Sequence, residues 1–139
     1  MFRLLMARIY YMWGSLHRNF GNQYNFMREH ESAVRRFTQA FEMDPNLREA
    51  RLDRGVIYFR EMKRPEEALA DFDALLEADP DYGPALLNRS MLRQEQGQYQ
   101  LALVDLDHFL SLEDQDTEYV SIAQRTAVLL QELIAELNE

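Results

Sequence analysis

The chain has 139 residues, 47% apolar and 28% charged, which supports a packed domain and excludes wholesale disorder. A formal charge of −9 argues against a general nucleic-acid binder, which needs a basic footprint. The absence of cysteine removes disulfides, thiolate catalysis and cysteine-based zinc sites. Charge is also polar along the chain. Residues 1–64 carry 12 basic and 7 acidic side chains, a net of +5, whereas residues 65–139 carry 3 and 17, a net of −14. Such polarity can steer a partner or orient head-to-tail association; the alternative is a solvated surface of drifting composition. With only 5 glycines and 4 prolines, turns are few and helices are favoured over many short strands.

Residues 1–13 hold 11 apolar residues, broken by Arg3 and Arg8. This stretch is too short and too charged to span a bilayer, and it lacks the pattern of a signal peptide. Nothing points to export, so a cytoplasmic location is expected. Phe2, Leu5, Met6, Ile9, Met12, Trp13, Leu16 and Phe20 form one helical stripe. Three readings stand. A break at Gly14-Ser15, with Ser15 as N-cap, lets the segment fold back as a cap. A helix that runs through leaves about 13 residues overhanging by roughly 20 Å, and Phe2, Leu5, Met6, Ile9 and Trp13 then pair with a second molecule as a homodimer contact. Docking at a membrane interface through Arg3, Arg8 and Trp13 is the third, although the basic face is thin.

From residue 14 the chain repeats itself. Gly21, Gly55 and Ser90 recur at steps of 34 and 35, with Tyr24, Tyr58 and Arg93 three later. Ala33, Ala68 and Ala102 recur at 35 and 34, with Phe37, Phe72 and Leu106 four later. Asp44-Pro45 and Asp79-Pro80 close the first two units, because a residue before proline avoids the helical region. The second unit has one extra residue near Lys63-Arg64-Pro65, where a turn tolerates it and a helix would not. Each unit reads as two helices, with Pro65-Glu66-Glu67 a suitable first turn.

The Gly-x-x-Tyr and Ala-x-x-x-aromatic marks, followed by proline, resemble the tetratricopeptide repeat family over roughly residues 14–116. Unit one agrees almost fully. Unit three departs most, with Ser90, Arg93, Leu106 and Phe109 at marked positions and no closing proline. The resemblance implies an all-α superhelix of three units (14–47, 48–82 and 83–116), preceded by the helical extension 1–13 and followed by a capping helix over 117–139. Within that last segment Tyr119, Ile122, Ala123, Leu129, Leu130, Leu133 and Leu137 form the expected apolar stripe.

No catalytic constellation is present. His17, His30 and His108 lack zincin spacing, Asp79-Pro80-Asp81 and the acidic run 113–116 lack calcium-loop spacing, and there is no glycine-rich phosphate loop. No cofactor or metal is implied, and the chain is expected not to be an enzyme. In the tetratricopeptide family the first helix of each unit lines a concave face that binds an extended peptide or a helix. Carried across by phase, that groove holds Arg18, Asn22 and Phe26, then Leu52, Asp53, Val56 and Phe59, then Asn88 and Met91. One subclass clamps the C-terminal carboxylate of chaperones with Lys, Asn and Arg. Here Asp53 would repel a carboxylate, and Pro84 and Asn88 supply no positive charge, so no such clamp is expected. The implied function is a protein–protein interaction scaffold or adaptor.

Overall fold

The computed structural model describes residues 1–139 as seven helices: α1 (Phe2–Tyr24), α2 (Met27–Met43), α3 (Arg48–Arg60), α4 (Pro65–Ala78), α5 (Gly83–Glu95), α6 (Tyr99–Ser111) and α7 (Thr117–Leu137). They form two compact units, Met1–Leu75 and Leu76–Glu139. The boundaries follow local chemistry. Asp44 caps α2 in an extended conformation immediately before Pro45, and α4 stops one residue before Asp79-Pro80. In both turns the aspartate Oδ1 accepts the backbone N–H two residues on, from Asn46 and from Asp81, at 3.1 Å. Pro65 opens α4. The connection before it runs over four residues, 61–64, against three between α5 and α6, so the extra residue of the second repeat sits in a turn. Lys63 turns the chain there with a positive φ of 53°, as Asn25 does between α1 and α2 and Gly97 between α5 and α6.

In the first unit the core is Ala33, Phe37, Ala40, Phe41, Ala50 and Ile57, with Tyr10, Tyr11, Val34, Leu47 and Met62 packed against it. α3 and α4 close together where Gly55 meets Phe72; a Cβ on Gly55 would lie 2.8 Å from the ring. Arg54 forks onto Asp71 at 2.9 and 2.6 Å. The second unit buries Leu86, Leu92, Ala102, Leu106, Phe109, Ala123, Ala127 and Leu130. It repeats the same fork, Arg89 onto Asp105 at 3.0 and 2.7 Å, with Arg93 adding a third bond of 2.7 Å.

The N-terminal segment departs from the expectations above. α1 runs unbroken through Gly14-Ser15, so Ser15 caps nothing. Yet the segment is not a free overhang. α1 is 23 residues and α2 is 17, about 34 and 25 Å. An antiparallel α2 therefore covers α1 back to about residue 7. Ala7, Gly14 and Gly21, seven apart, form the buried seam. Gly14 is needed there because a Cβ would fall 2.6 Å from the Phe37 ring. Arg3 reaches further still, donating from Nη2 to the Glu42 carbonyl at 2.9 Å. The overhang expected of an unbroken helix is thus largely covered by α2, while the outer apolar stripe stays exposed.

The C-terminal stripe also divides. Ala123, Ala127 and Leu130 are buried, while Tyr119, Leu129 and Leu137 are exposed. Leu129 lies about 100° around the helix from Leu130 and cannot share its face. Asp116 caps this helix by accepting the Glu118 N–H at 2.9 Å.

Candidate functional site

α1 presents three faces. The small-residue seam meets α2. A second face, carrying Tyr11, Arg18 and Asn22, turns toward α3, since residues three and four apart share a helix face. Both Tyr11 and Arg18 reach one carboxylate: the Tyr11 hydroxyl donates to Asp53 Oδ2 at 3.0 Å and Arg18 Nη1 donates to Oδ1 at 2.8 Å. Burial, and then the adjacent Asp53 charge, push the Tyr11 hydroxyl up to about 12. Asp53 thus ties α1 to α3, and the charge of Arg18 is met within the chain.

Around that tie, exposed Asn22 lies one turn beyond Arg18, and half-buried Leu52 and Val56 lie one turn apart on α3. This is a small apolar strip flanked by an amide. Phe59 is only 7% exposed and packs inside, so it is not a surface residue. Phe26 is the N-cap of α2 and lines a different cleft with Leu16, His17, Phe20, Tyr24 and Glu29. In the second unit Asn88 is half-buried and its Nδ2 donates to the Pro84 carbonyl at 2.8 Å; Met91 is half-buried on the same helix.

The third face of α1 is exposed and apolar. Phe2, Leu5, Met12, Trp13, Leu16, Phe20 and Tyr24 all stand open to solvent, while Met6 and Ile9 are half-buried. Phe20, Tyr24 and Phe26 stack in series, with ring centroids 6.3 and 5.9 Å apart. Arg36 lies 5.8 Å from the Tyr10 ring centre and 5.0 Å from that of Trp13.

None of the histidines joins a metal-holding group; no cluster of three or more His, Asp or Glu side chains is suited to an ion. His17 Nδ1 pairs with Glu29 at 2.6 Å and His108 Nε2 with Asp81 at 2.7 Å. His30 is the surprise. It is buried against Gly21, and its Nδ1 has no hydrogen-bond partner within the chain. Its charged neighbours Arg28, Glu29 and Glu31 give no sign of this burial. The two forks were missed as well, although the sequence carries their signal: Arg54 and Arg89 each precede the small mark, and Asp71 and Asp105 each precede the Phe72 or Leu106 mark.

This arrangement of antiparallel helix pairs, closed by small residues against large ones, defines a helical-repeat protein. The tetratricopeptide repeat profile matches residues 19–83 and 58–110. The chain belongs to the tetratricopeptide repeat family. Over 105 residues it is 30% identical to a UDP-N-acetylglucosamine–peptide N-acetylglucosaminyltransferase of Giardia intestinalis, covering 75% of this chain and 7% of that protein. It is 27% identical over 101 residues to a DnaJ homolog subfamily C member 7 homolog of Dictyostelium discoideum, covering 70% and 19%. The chain therefore spans a small part of these relatives. Among solved structures it is similar to the Arabidopsis OM64 TPR domain, with TM-score 0.73, 19% identity and coverage of 94% and 98%. It is also similar to the first TPR of Spaghetti (RPAP3) bound to HSP90 peptide SRMEEVD, with TM-score 0.66, 21% identity and coverage of 90% and 95%. At these identities the likeness is one of fold. No helix is long and apolar enough to cross a membrane.

Proposed function

We propose that the chain is a non-enzymatic interaction module that receives an extended peptide or a helix of a partner protein on the first-helix face that α1 and α3 present in the first unit. The observation that carries this reading is the strip beside the Asp53 tie. Leu52 and Val56 supply partly open apolar surface, and Asn22 supplies a donor and an acceptor for a partner's backbone. In the second unit, taken by itself, Asn88 and Met91 lie half-buried on α5. The tie fixes α1 against α3, which lowers the ordering cost of binding.

Binding of an HSP90 peptide, as in the Spaghetti structure, is not what these residues favour. A carboxylate approaching Arg18 meets Asp53, 2.8 Å from that guanidinium. The test is selection of peptides from a random display library on the full-length protein, followed by affinity measurement against Val56→Glu and Asn22→Ala. The reading expects Val56→Glu to weaken a selected peptide about tenfold or more. Peptides that bind both variants as well as wild type would place the site elsewhere. In parallel, SRMEEVD is expected to bind no better as a free acid than as a C-terminal amide.

A further inference from the structure

The structure carries two uncovered apolar helix faces of opposite charge character, one in each compact unit. α1 shows the stripe from Phe2 to Tyr24; its charged residues are Arg3, Arg8 and Arg18, and it contains no acid. α7 shows Tyr119, Ile122, Leu129 and Leu137, and its charged residues are Glu118, Glu132 and Glu136 against a single Arg125. We propose that the α1 stripe of one copy docks on the exposed α7 face of a second copy, giving head-to-tail association. This goes beyond the peptide-binding reading, which uses a different face of α1.

Three considerations select this occupant. The first is charge. An α1–α1 contact would bring two acid-free helices together, whereas α1 against α7 sets the exposed Arg8 beside glutamates, Arg18 being held by Asp53 and Arg3 by the Glu42 carbonyl. The second is area. Seven half-open side chains on α1, at about 100 Å² each, offer about 700 Å², and four on α7 offer about 400 Å². The sum, about 1,100 Å², lies close to the lower bound of a specific interface. The third is coverage per chain. An isologous α1 dimer removes the α1 stripe from water and leaves the α7 face open. A head-to-tail contact covers both faces of each interior copy, so it removes more apolar surface per molecule. The Trp13, Phe20 and Tyr24 rings are the residue types that dominate binding at such contacts.

A heterologous contact has a signature that an isologous one cannot imitate: it builds open chains or rings, and its two halves can be broken independently. The experiment uses full-length protein and two variants at exposed positions, Leu16→Glu on α1 and Leu129→Arg on α7, each checked for retained helicity by circular dichroism. Light scattering across a concentration series should show wild-type mass rising past that of a dimer. Each variant alone should remain a monomer of 16.5 kDa. The equimolar mixture should recover a one-to-one pair, because each variant keeps the half that the other lacks. A dimer that survives Leu129→Arg and disappears with Leu16→Glu overturns the proposal in favour of an α1–α1 contact. A wild type that stays monomeric throughout overturns association through either face. Should a variant lose helicity, Met12→Glu or Tyr119→Arg replaces it at the same face, with the same outcomes required.

Discussion

Removing the Asp105 carboxylate should be among the most damaging single changes in the second unit. Its side chain is 2% exposed and accepts three hydrogen bonds, two from Arg89 and one from Arg93. Asp105→Ala leaves two guanidinium groups beside an apolar gap. Breaking a buried ion pair on one side costs about 3–5 kcal/mol. Arg89 and Arg93 are 18% and 15% exposed, so each recovers some hydration, and the lower end of that range applies. About 3 kcal/mol is a large share of a total stability of about 7–20 kcal/mol for a chain of this size. The melting temperature should fall by about 6–12 °C. Asp71→Ala should cost less, because Asp71 is forked by Arg54 alone. Asp107→Ala, exposed on the same helix as Asp105, should change stability by no more than about 0.5 kcal/mol. Urea titration followed by circular dichroism measures all three. A loss below about 1 kcal/mol for Asp105→Ala, or one equal to that of Asp107→Ala, would refute the reasoning that these forks hold the paired helices together.

Other outcomes follow from the same contacts. Gly21→Ala places a Cβ 2.7 Å from the buried His30 ring; the gain in helix propensity of about 1 kcal/mol is outweighed by overpacking of about 1–3 kcal/mol, so thermal stability should fall rather than rise. Tyr11 is held protonated up to about pH 12, above its ordinary value near 10. Its contribution is thus complete below pH 10 and is lost as pH rises through 10 to 12. Alkaline denaturation of Tyr11→Phe should show a shallower loss over that window, and its absorbance titration should lack one late-titrating phenol. Asp53→Asn removes the charge that meets Arg18, and anisotropy titration should show it gaining a preference for SRMEEVD as free acid over amide that the wild type lacks.

Much of the fold was legible because spacing encodes it. The phase of Gly21, Gly55, Ala33, Ala68 and the two Asp-Pro pairs fixed the helix pairs, and an offset of one residue located the longer turn at Lys63. The ends were harder to read, since no repeat flanks them. For α1 the signal was present but unused: Ala7, Gly14 and Gly21 at steps of seven mark a close-packed seam, so a helix with an apolar outer stripe also had an inner face. For α7 the apolar residues spread over more than half the helix circumference, and sequence could not say which arc would be buried. At the site, the family resemblance assigned Arg18 and Asp53 by phase. Their mutual pairing, and the inward turn of Phe59, depend on the distance between α1 and α3, which periodicity within one helix does not contain.

The proposal that the α1–α3 face receives a partner peptide can be tested at single-residue resolution. The most direct measurement is backbone NMR on the full-length protein with and without a display-selected peptide. Peptide binding at the proposed face is expected to perturb amides on α1 and α3 around Asn22, Leu52 and Val56. Perturbations confined to the outer stripe of α1 or to α7 would contradict it.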